Sequence, residues 1–465
     1  MTMADAFLWD VAFELALFAA VMFALFSVDD LAMDILAFLR PRHAPRALAT
    51  GGTQSAHRFA VFIPAWREGN VIGPMLDHLC ASWPGATVRV YVGVYPNDAA
   101  TIFAAADAAQ NDARVRLVIN EAVGPTTKGA CLNRMWRALQ DDVAQRRFAP
   151  TAVLFHDAED CVDPLAIDVL AHALDQADFA QLQVIPVHAR GGLFIGGHYC
   201  DEFAEAHVRD MPVRSALGAP MPTAGVGCAF RIEALQRLDT GGGPFADGSL
   251  TEDYELGMRL CAMGFVGRFV GMTDRDGRWI GTRAIFPRTL APAVRQKARW
   301  LRGIALDGWD NLGWVGCGPD RPWSTRLIAI WMQWRDRRSL LGAMTAFTGY
   351  AAVLMVLVLS MSEAGRAVLL SREVGASVRA LLIFNGLMLI WRVMMRCIYT
   401  GQVYGLKAAL LAPLRQPLAN VIHIMTAWRA VRAHWAGKRG APLEWDKTTH
   451  EFPAQLVQQT QRQGT

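Results

Sequence analysis

The stretch "LLGAMTAFTGYAAVLMVLVLSM" (340–361) runs for 22 residues without a charged side chain. As an α-helix rising about 1.5 Å per residue it crosses about 30 Å of hydrocarbon, so it is expected to span a bilayer. The rest of the chain must then be arranged around a membrane. Two further stretches suit the same role: "ALFAAVMFALFSV" (16–28), which extends back to Val11 with only Glu14 inside it, and "ALLIFNGLMLIWRVMM" (380–395), interrupted late by Arg392. A hydrophobic content of 53% and a mean hydropathy of +0.20 agree with this reading.

The first stretch is expected to be an uncleaved anchor. The start "MTMADAFLWD" lacks the basic region of a signal peptide, and Asp29, Asp30 and Asp34 follow where a small-residue cleavage site would stand. Basic residues flank the apolar runs: Arg40, Arg42, Arg46 and Arg58 after the first, "WRDRR" (334–338) before the main span, and "RAVRAHWAGKR" (429–439) after the last. By the positive-inside rule, residues 58–320 and the tail are cytoplasmic, with a short outside loop near 362–378. In "LKAALLAPLRQPLANVIHIMTAW" (406–428), Arg415 lies between two prolines, which points to two short interfacial helices and a total of three or four spans. The expected organisation is an anchor at 1–39, a linker at 40–57, a cytoplasmic domain at 58–320, a membrane region at 321–436 and a cytoplasmic tail at 437–465. Eight cysteines without a C-x-x-C pair suit reduced thiols, and a net charge of +4 without a basic block gives no reason to expect nucleic acid.

Between 58 and 320 the pattern changes. Apolar runs at 58–66, 87–95, 115–120, 151–159 and 179–186 read as strands, with helical patterns near 70–82, 98–110, 127–140 and 163–177 between them. Such alternation predicts an α/β fold with a parallel sheet, whose ligands bind at the carboxyl ends of the strands. Polar clusters stand at those ends. The first run closes on "PAWREGN" with Glu68 and the second on "YPND" with Asp98, both also ordinary turn sequences. "GPTTKGACLN" lacks phosphate-loop spacing, yet puts Lys128 at a helix start where a phosphate would be met. "LFHDAED" sets Asp157, Glu159 and Asp160 directly after a strand, oxygen ligands suited to Mg²⁺ or Mn²⁺. In "SLTEDYELGMRL" (249–260), Glu252, Asp253 and Glu255 fall in the first turn of a helix, where Ser249 with Glu252 fits a capping box. In "RQKARWLRG" (295–303), Gln296, Arg299 and Trp300 share one helix face.

Taken in order, an acid after the second strand, D-x-[DE] after the fourth, T-E-D before a helix and then Q-x-x-R-W resemble the family 2 glycosyltransferases of the membrane polysaccharide-synthase type. The resemblance covers roughly 58–303. "HDAED", "FIGGHYCDEFAE", "VRQKARWLRGIAL" and "PLEWDKTTHEFP" bring it nearest to the inner-membrane phage adsorption protein B group. It implies a nucleotide-diphosphosugar transferase (GT-A) domain inserted between transmembrane helices of a bacterial inner-membrane protein. Glu68 and Asp98 would hold the nucleoside, Lys128 and Asp157 the nucleotide and diphosphate, and Asp157 with Glu159 the metal. Asp253 would be the general base, with Gln296, Arg299 and Trp300 closing over diphosphate and acceptor. Glu159 stands where synthases usually have Asp. Members of the group often continue into a sensor domain; the sequence here ends at Thr465, so control by that route is not expected.

The expected reaction is inverting transfer of a sugar from a nucleotide-diphosphate donor, UDP-sugars first, to a growing surface or secreted polysaccharide, with membrane lipid and an envelope export component as partners. The glycine-rich "DTGGGPFADGS" (239–249) suits a moving acceptor loop as well as it suits a plain surface loop. Two other classes stay open: an inactive scaffold or phage-adsorption component that keeps the fold, and a nucleotidyltransferase.

Overall fold

The computed structural model describes residues 3–40, 57–84, 87–187, 192–316, 322–371, 373–440 and 451–453. Most of the expected linker, Cys317 and most of the tail, including the greater part of "PLEWDKTTHEFP", lie outside the described residues.

All five apolar runs form strands: β1 (Phe59–Pro64), β2 (Val88–Val94), β3 (Val115–Ile119), β4 (Ala152–Phe155) and β5 (Phe179–Val187). The helices between them are Ile72–Ser82, Ala99–Asn111, Lys128–Ala144 and Ala166–Leu174. Alternation along β1 shows why these elements form one sheet. Phe59, Val61 and Ile63 pack with Ile72, Leu76, Leu79 and Leu170 on one face, while Ala60 and Phe62 pack with Tyr91, Leu132 and Trp136 on the other. A strand covered on both faces needs a continuous apolar run, which "FAVFIP" supplies.

Four more strands complete the sheet: β6 (Cys228–Arg231), β7 (Gly267–Val270), β8 (Met272–Thr273) and β9 (Trp279–Ile285). The order is β3-β2-β1-β4-β6-β5-β9-β8, with β7 also beside β5. The sheet is mixed, which corrects the expectation of a parallel one. β6 runs antiparallel to both β4 and β5, and β8 antiparallel to β9. Because β6 is reversed, the chain leading into it, residues 222–227, lies at the same sheet edge as the carboxyl ends of β1, β4 and β5. That edge therefore gains a backbone segment that a parallel strand would have placed at the opposite side.

Three helices among the described residues are long and apolar enough to cross a membrane: Met3–Leu39, Ser339–Ser360 and Ala376–Tyr404. A short helix, Glu363–Ser371, occupies the region expected to be an outside loop. Leu406–Lys438 is one continuous helix with Pro413 and Pro417 inside, not the two short helices expected. Arg415 lies between the two prolines. It is buried, bonds Asp201 at 2.5 and 2.6 Å, and donates from Nη2 to the Ala408 carbonyl at 2.9 Å, near the backbone bond that Pro413 cannot make.

The three candidate spans meet the α/β domain through buried ion pairs. Asp30 in Met3–Leu39 is bonded by Arg392 and by Arg335 and Arg338 of "WRDRR", the latter two at 3.1 and 2.8 Å. Asp34 accepts from Arg209 (3.1 Å), Trp391 (2.8 Å) and Tyr399 (2.9 Å). Arg209 belongs to a π-helical segment, Ala206–Asp210, that follows the helix Ile195–Glu205. The acids after the first apolar stretch are thus partners of the arginines before the second and inside the third. Paired in this way, charges that would be costly near lipid join the spans to the domain.

Candidate active site

A cavity of about 620 Å³ opens at the carboxyl ends of β1, β4, β5 and β9, beside the chain entering β6. Glu68, Lys128, Asp157, Glu159, Asp253, Gln296, Arg299 and Trp300 all line it. Of the residues expected from sequence to touch substrate or metal, Asp98 alone does not.

Asp98 works one layer back. Its carboxylate accepts from the backbone N of Arg67 at 2.5 Å and of Thr101 at 3.4 Å, capping the helix Ala99–Asn111. Thr101 Oγ1 in turn accepts from the Glu68 backbone N at 2.9 Å. Arg67 sits at φ 56°, a costly conformation for a side-chain-bearing residue, and the bond from Asp98 holds it there. Asp98 therefore positions the loop that presents Glu68.

Lys128 opens the helix Lys128–Ala144, whose N-cap Thr127 accepts from Ala130 N at 3.1 Å. Its ammonium lies 2.6 Å from Asp157 and 3.8 Å from Glu252. Burial disfavours the charge, but Asp157, Glu252 and Asp253 outweigh it and hold the amine protonated well above the usual lysine range. The Asp157 backbone N donates to Asp160 Oδ2 at 3.0 Å, and the same oxygen meets His156 Nδ1 at 3.0 Å, so "HDAED" folds into a turn that fixes the first acid.

The donor set suits a divalent ion of one kind. Among the described residues no cluster of three or more His, Cys, Asp or Glu forms a protein-only cage. Asp157 and Glu159 offer two carboxylates at the cavity wall, leaving other positions to water and substrate oxygens, as Mg²⁺ and Mn²⁺ prefer in phosphate sites.

The three acids of "TEDYELGMRL" separate by surroundings. Glu255 accepts from Ser249 Oγ at 2.6 Å and Asn311 Nδ2 at 3.0 Å, and lies off the cavity. The capping box does not form, because Ser249 bonds Glu255 instead of serving Glu252, and the N-cap residue Thr251 makes no side-chain cap bond. Glu252 and Asp253 line the cavity. Asp253 Oδ1 accepts from Tyr254 N at 2.8 Å and its carbonyl accepts from Thr223 Oγ1 at 2.8 Å. Its Oδ2 lies so close to Gly225 that a Cβ there would stand 2.7 Å away, and Gly225 itself has φ +71°. Only glycine allows that approach, so the reversed β6 and a glycine together place backbone against the carboxylate.

Burial, opposed by Lys128 and reinforced by Asp253, pushes the Glu252 carboxyl up to about 7, and burial raises Asp253 too. A folded-state pKa above the free value means the native protein binds more protons than the unfolded chain between about pH 4.5 and 7. Metal-free protein should therefore lose thermal stability as pH rises through that window. Glu252→Gln should flatten the slope in melts at pH 5, 6, 7 and 8; an unchanged slope would exclude this origin.

On the helix Leu290–Leu301, Gln296 Oε1 and Arg299 Nε are buried without a hydrogen-bond partner among the described residues. Orphaned polar atoms on a cavity wall are what a polar ligand would satisfy. Trp300 stands in a nest of rings, with centroids 6.2 Å from Tyr199, 6.3 Å from Phe203 and 6.2 Å from Phe286. The loop at 239–249 is pinned: Asn133 bonds Phe245 N and O at 3.1 and 2.9 Å, and Asp239 accepts from Gly241 N, Gly243 N and Trp136 Nε1. Sequence reading missed Arg288, which lines the cavity just past β9 and is ion-paired with Glu451, and also Arg214, Tyr254 and Asp336. Arg288 follows the same strand-end rule as Asp157, but β9 had not been recognised.

A family model described as "Glycosyltransferase like family 2" matches residues 57–303. The chain is 30% identical over 477 aligned positions to bacteriophage adsorption protein B of Escherichia coli K12, and equally to bacteriophage N4 adsorption protein B of E. coli O157:H7. In both cases 95% of this chain is covered, and it spans 62% of the relative's length. Among solved structures, the mannosyltransferase PcManGT from Pyrobaculum calidifontis, in complex with GDP-Man and Mn²⁺, has a similar fold, with TM-score 0.50 and 16% identity over 88% of this chain and 99% of its own.

Proposed function

Since the chain belongs to glycosyltransferase family 2, we propose that it is a membrane-bound inverting transferase that moves a sugar from a nucleoside diphosphate donor to a growing surface or secreted polysaccharide. The observation that carries this reading is the convergence, in one cavity, of the Lys128–Asp157 pair, the Asp253 carboxylate and the orphaned polar atoms of Gln296 and Arg299.

Displacement at an anomeric carbon needs the leaving diphosphate stabilised on one side and a base for the attacking hydroxyl on the other. Lys128 and Arg299 meet the diphosphate charge. Asp157 and Glu159 would hold Mg²⁺ or Mn²⁺, which supplies Lewis-acid neutralisation of that charge when bound. Asp253 accepts the proton of the acceptor hydroxyl, whose oxygen attacks opposite the departing diphosphate and inverts the centre. Glu68, presented by the loop that Asp98 holds, faces the nucleoside, and Trp300 offers the acceptor sugar a stacking face. UDP-sugars come first as donors. The Pyrobaculum calidifontis neighbour was solved with GDP-Man, so GDP-sugars join the panel.

The domain is assigned to the cytoplasmic side of a bacterial inner membrane, where nucleotide sugars are made. The basic flanks support this, as does the clustering of Asp30, Arg338 and Arg392 at one level of the three spans. The helix Leu406–Lys438 exposes Leu410, Leu414, Val421, Met425, Trp428 and Trp435, a stripe suited to lying on the lipid surface. The names of the relatives fit a phage that exploits the polysaccharide or its synthase complex, which would also include an export component.

Inverted membrane vesicles given a panel of nucleotide sugars should release nucleoside diphosphate, and sealed right-side-out vesicles should not. Excess chelator should weaken donor binding, with Mg²⁺ or Mn²⁺ restoring it, and unchanged binding would remove the metal from the reading. Glu159→Asp should be tolerated. Release of pyrophosphate would instead indicate a nucleotidyltransferase, and no release from any donor an inactive scaffold.

A further inference from the structure

Two arginines of "WRDRR" (334–338), Arg335 and Arg338, pair with Asp29 and Asp30 of the first apolar helix. The acid of the same stretch points the other way. Asp336 sits near the end of the helix Trp323–Arg337, lines the cavity and accepts from Tyr254 Oη at 2.9 Å. Both Asp336 oxygens also accept from Arg214 Nη1, at 2.7 and 2.9 Å. Arg214 is itself fixed, with Nε donating to the Pro220 carbonyl. Tyr254 is buried between Met258 and Val315, and it directly follows Asp253 in the first turn of Glu252–Ala262. Its backbone N is the donor to Asp253 Oδ1.

We propose that Asp336, Tyr254 and Arg214 form a positioning triad that sets the depth and rotation of the helix start carrying Asp253, and thereby ties the proposed base to the membrane-helix bundle. The inference rests on the reading of Asp253 as base.

Geometry supports the link. A first helical turn lacks backbone partners for its early N–H groups, and here the N-cap side chain supplies none. The turn is held instead by side chains: Thr223 on the Asp253 carbonyl, Ser249 and Asn311 on Glu255, and the phenol of Tyr254 reaching Asp336. Four positions span the whole connection: Arg335 and Arg338 grip Asp29 and Asp30 of the first span, and Asp336 between them grips the base helix. The spans and the base thus share one short, charged stretch of helix.

The test is a double-substitution cycle on full-length protein in detergent or vesicles. Tyr254→Phe removes only the hydroxyl. It should lower kcat about tenfold with donor KM within about twofold, because the ligand-contacting groups stay in place while the base is misplaced. In an Asp253→Asn background the same change should have no further effect on rate. Asp336→Asn, which can still accept from the phenol, should fall less than Asp336→Ala. A Tyr254→Phe protein at the unmodified rate, or one that loses the same factor in both backgrounds, would overturn the triad. Should Tyr254→Phe not fold, the graded pair at Asp336 decides the matter in the same way, equal losses ruling against the proposal. Failure of the base reading is separately visible, since Asp253→Asn alone would then turn over normally.

Discussion

Asp253→Asn should bind donor normally, melt at nearly the unmodified temperature and turn over roughly 10²-fold more slowly or worse. Asparagine keeps the size of the side chain and can still accept from Tyr254 N, so the 2.8 Å bond that shapes the turn survives. What it loses is the ability to take a proton. Loss of a charge near a helix start alone would cost no more than about 1 kcal/mol and leave the rate intact. The best control lies two residues on. Glu255 is in the same turn but off the cavity, and Gln at 255 can still accept from Ser249 and Asn311. Glu255→Gln should therefore keep its rate. Glu252→Gln is a poorer control than its place in the sequence suggests, because Glu252 lines the cavity 3.8 Å from Lys128. A folded Asp253→Asn protein that binds donor and turns over normally would remove the base from the mechanism.

Four of the five strands legible in the sequence, β1, β2, β4 and β5, are buried almost throughout, and only the edge strand β3 is not. β1 and β2 must be almost wholly apolar, and they stand out as runs between polar stretches. β6 to β8 span only two to four residues each, too short for a period to declare itself, and β9 mixes Gly, Thr and Arg into its run. Missing β6 made the sheet look parallel. It also hid Gly225 and Thr223, which hold Asp253, since the rule that sites lie at the carboxyl ends of strands excludes the segment entering a reversed strand. The acids themselves were legible because they directly follow long apolar runs or open a clear helix. Asp98 shows the limit of that signal: it too follows a strand, but an N-cap and a cleft residue look alike in one dimension. Arg415 was misread for a related reason, as two prolines flanking a charge suggest a break, and only the distant Asp201 makes the buried helix tolerable. Its partner lies 214 positions away, and nothing local announces it.

Lys128→Met should produce the other large loss, in rate and in stability together. The ammonium is the shared counter-charge of Asp157, Glu252 and Asp253. Methionine fills most of the same space without the charge, so packing is kept while the acids face one another across the cavity. Removing one partner of a fully buried ion pair costs about 3–5 kcal/mol, and with Asp157 still 36% exposed to the cavity the loss here should fall below that range. The carboxylates would respond by holding protons more tightly. For Asp253 that means a smaller fraction in the form that accepts a proton at neutral pH, on top of the weaker hold on the leaving diphosphate. Turnover should drop by about 10³-fold, the upper end for loss of one charge-stabilising donor, and the remaining activity should peak at higher pH than in the unmodified protein. Lys128→Arg should restore stability better than rate, since a planar guanidinium cannot stand as a point charge among the three carboxylates. Thermal melts and pH–rate profiles of the three proteins would check this, and a Lys128→Met protein with an unshifted pH optimum would show that the lysine does not govern the protonation of Asp253.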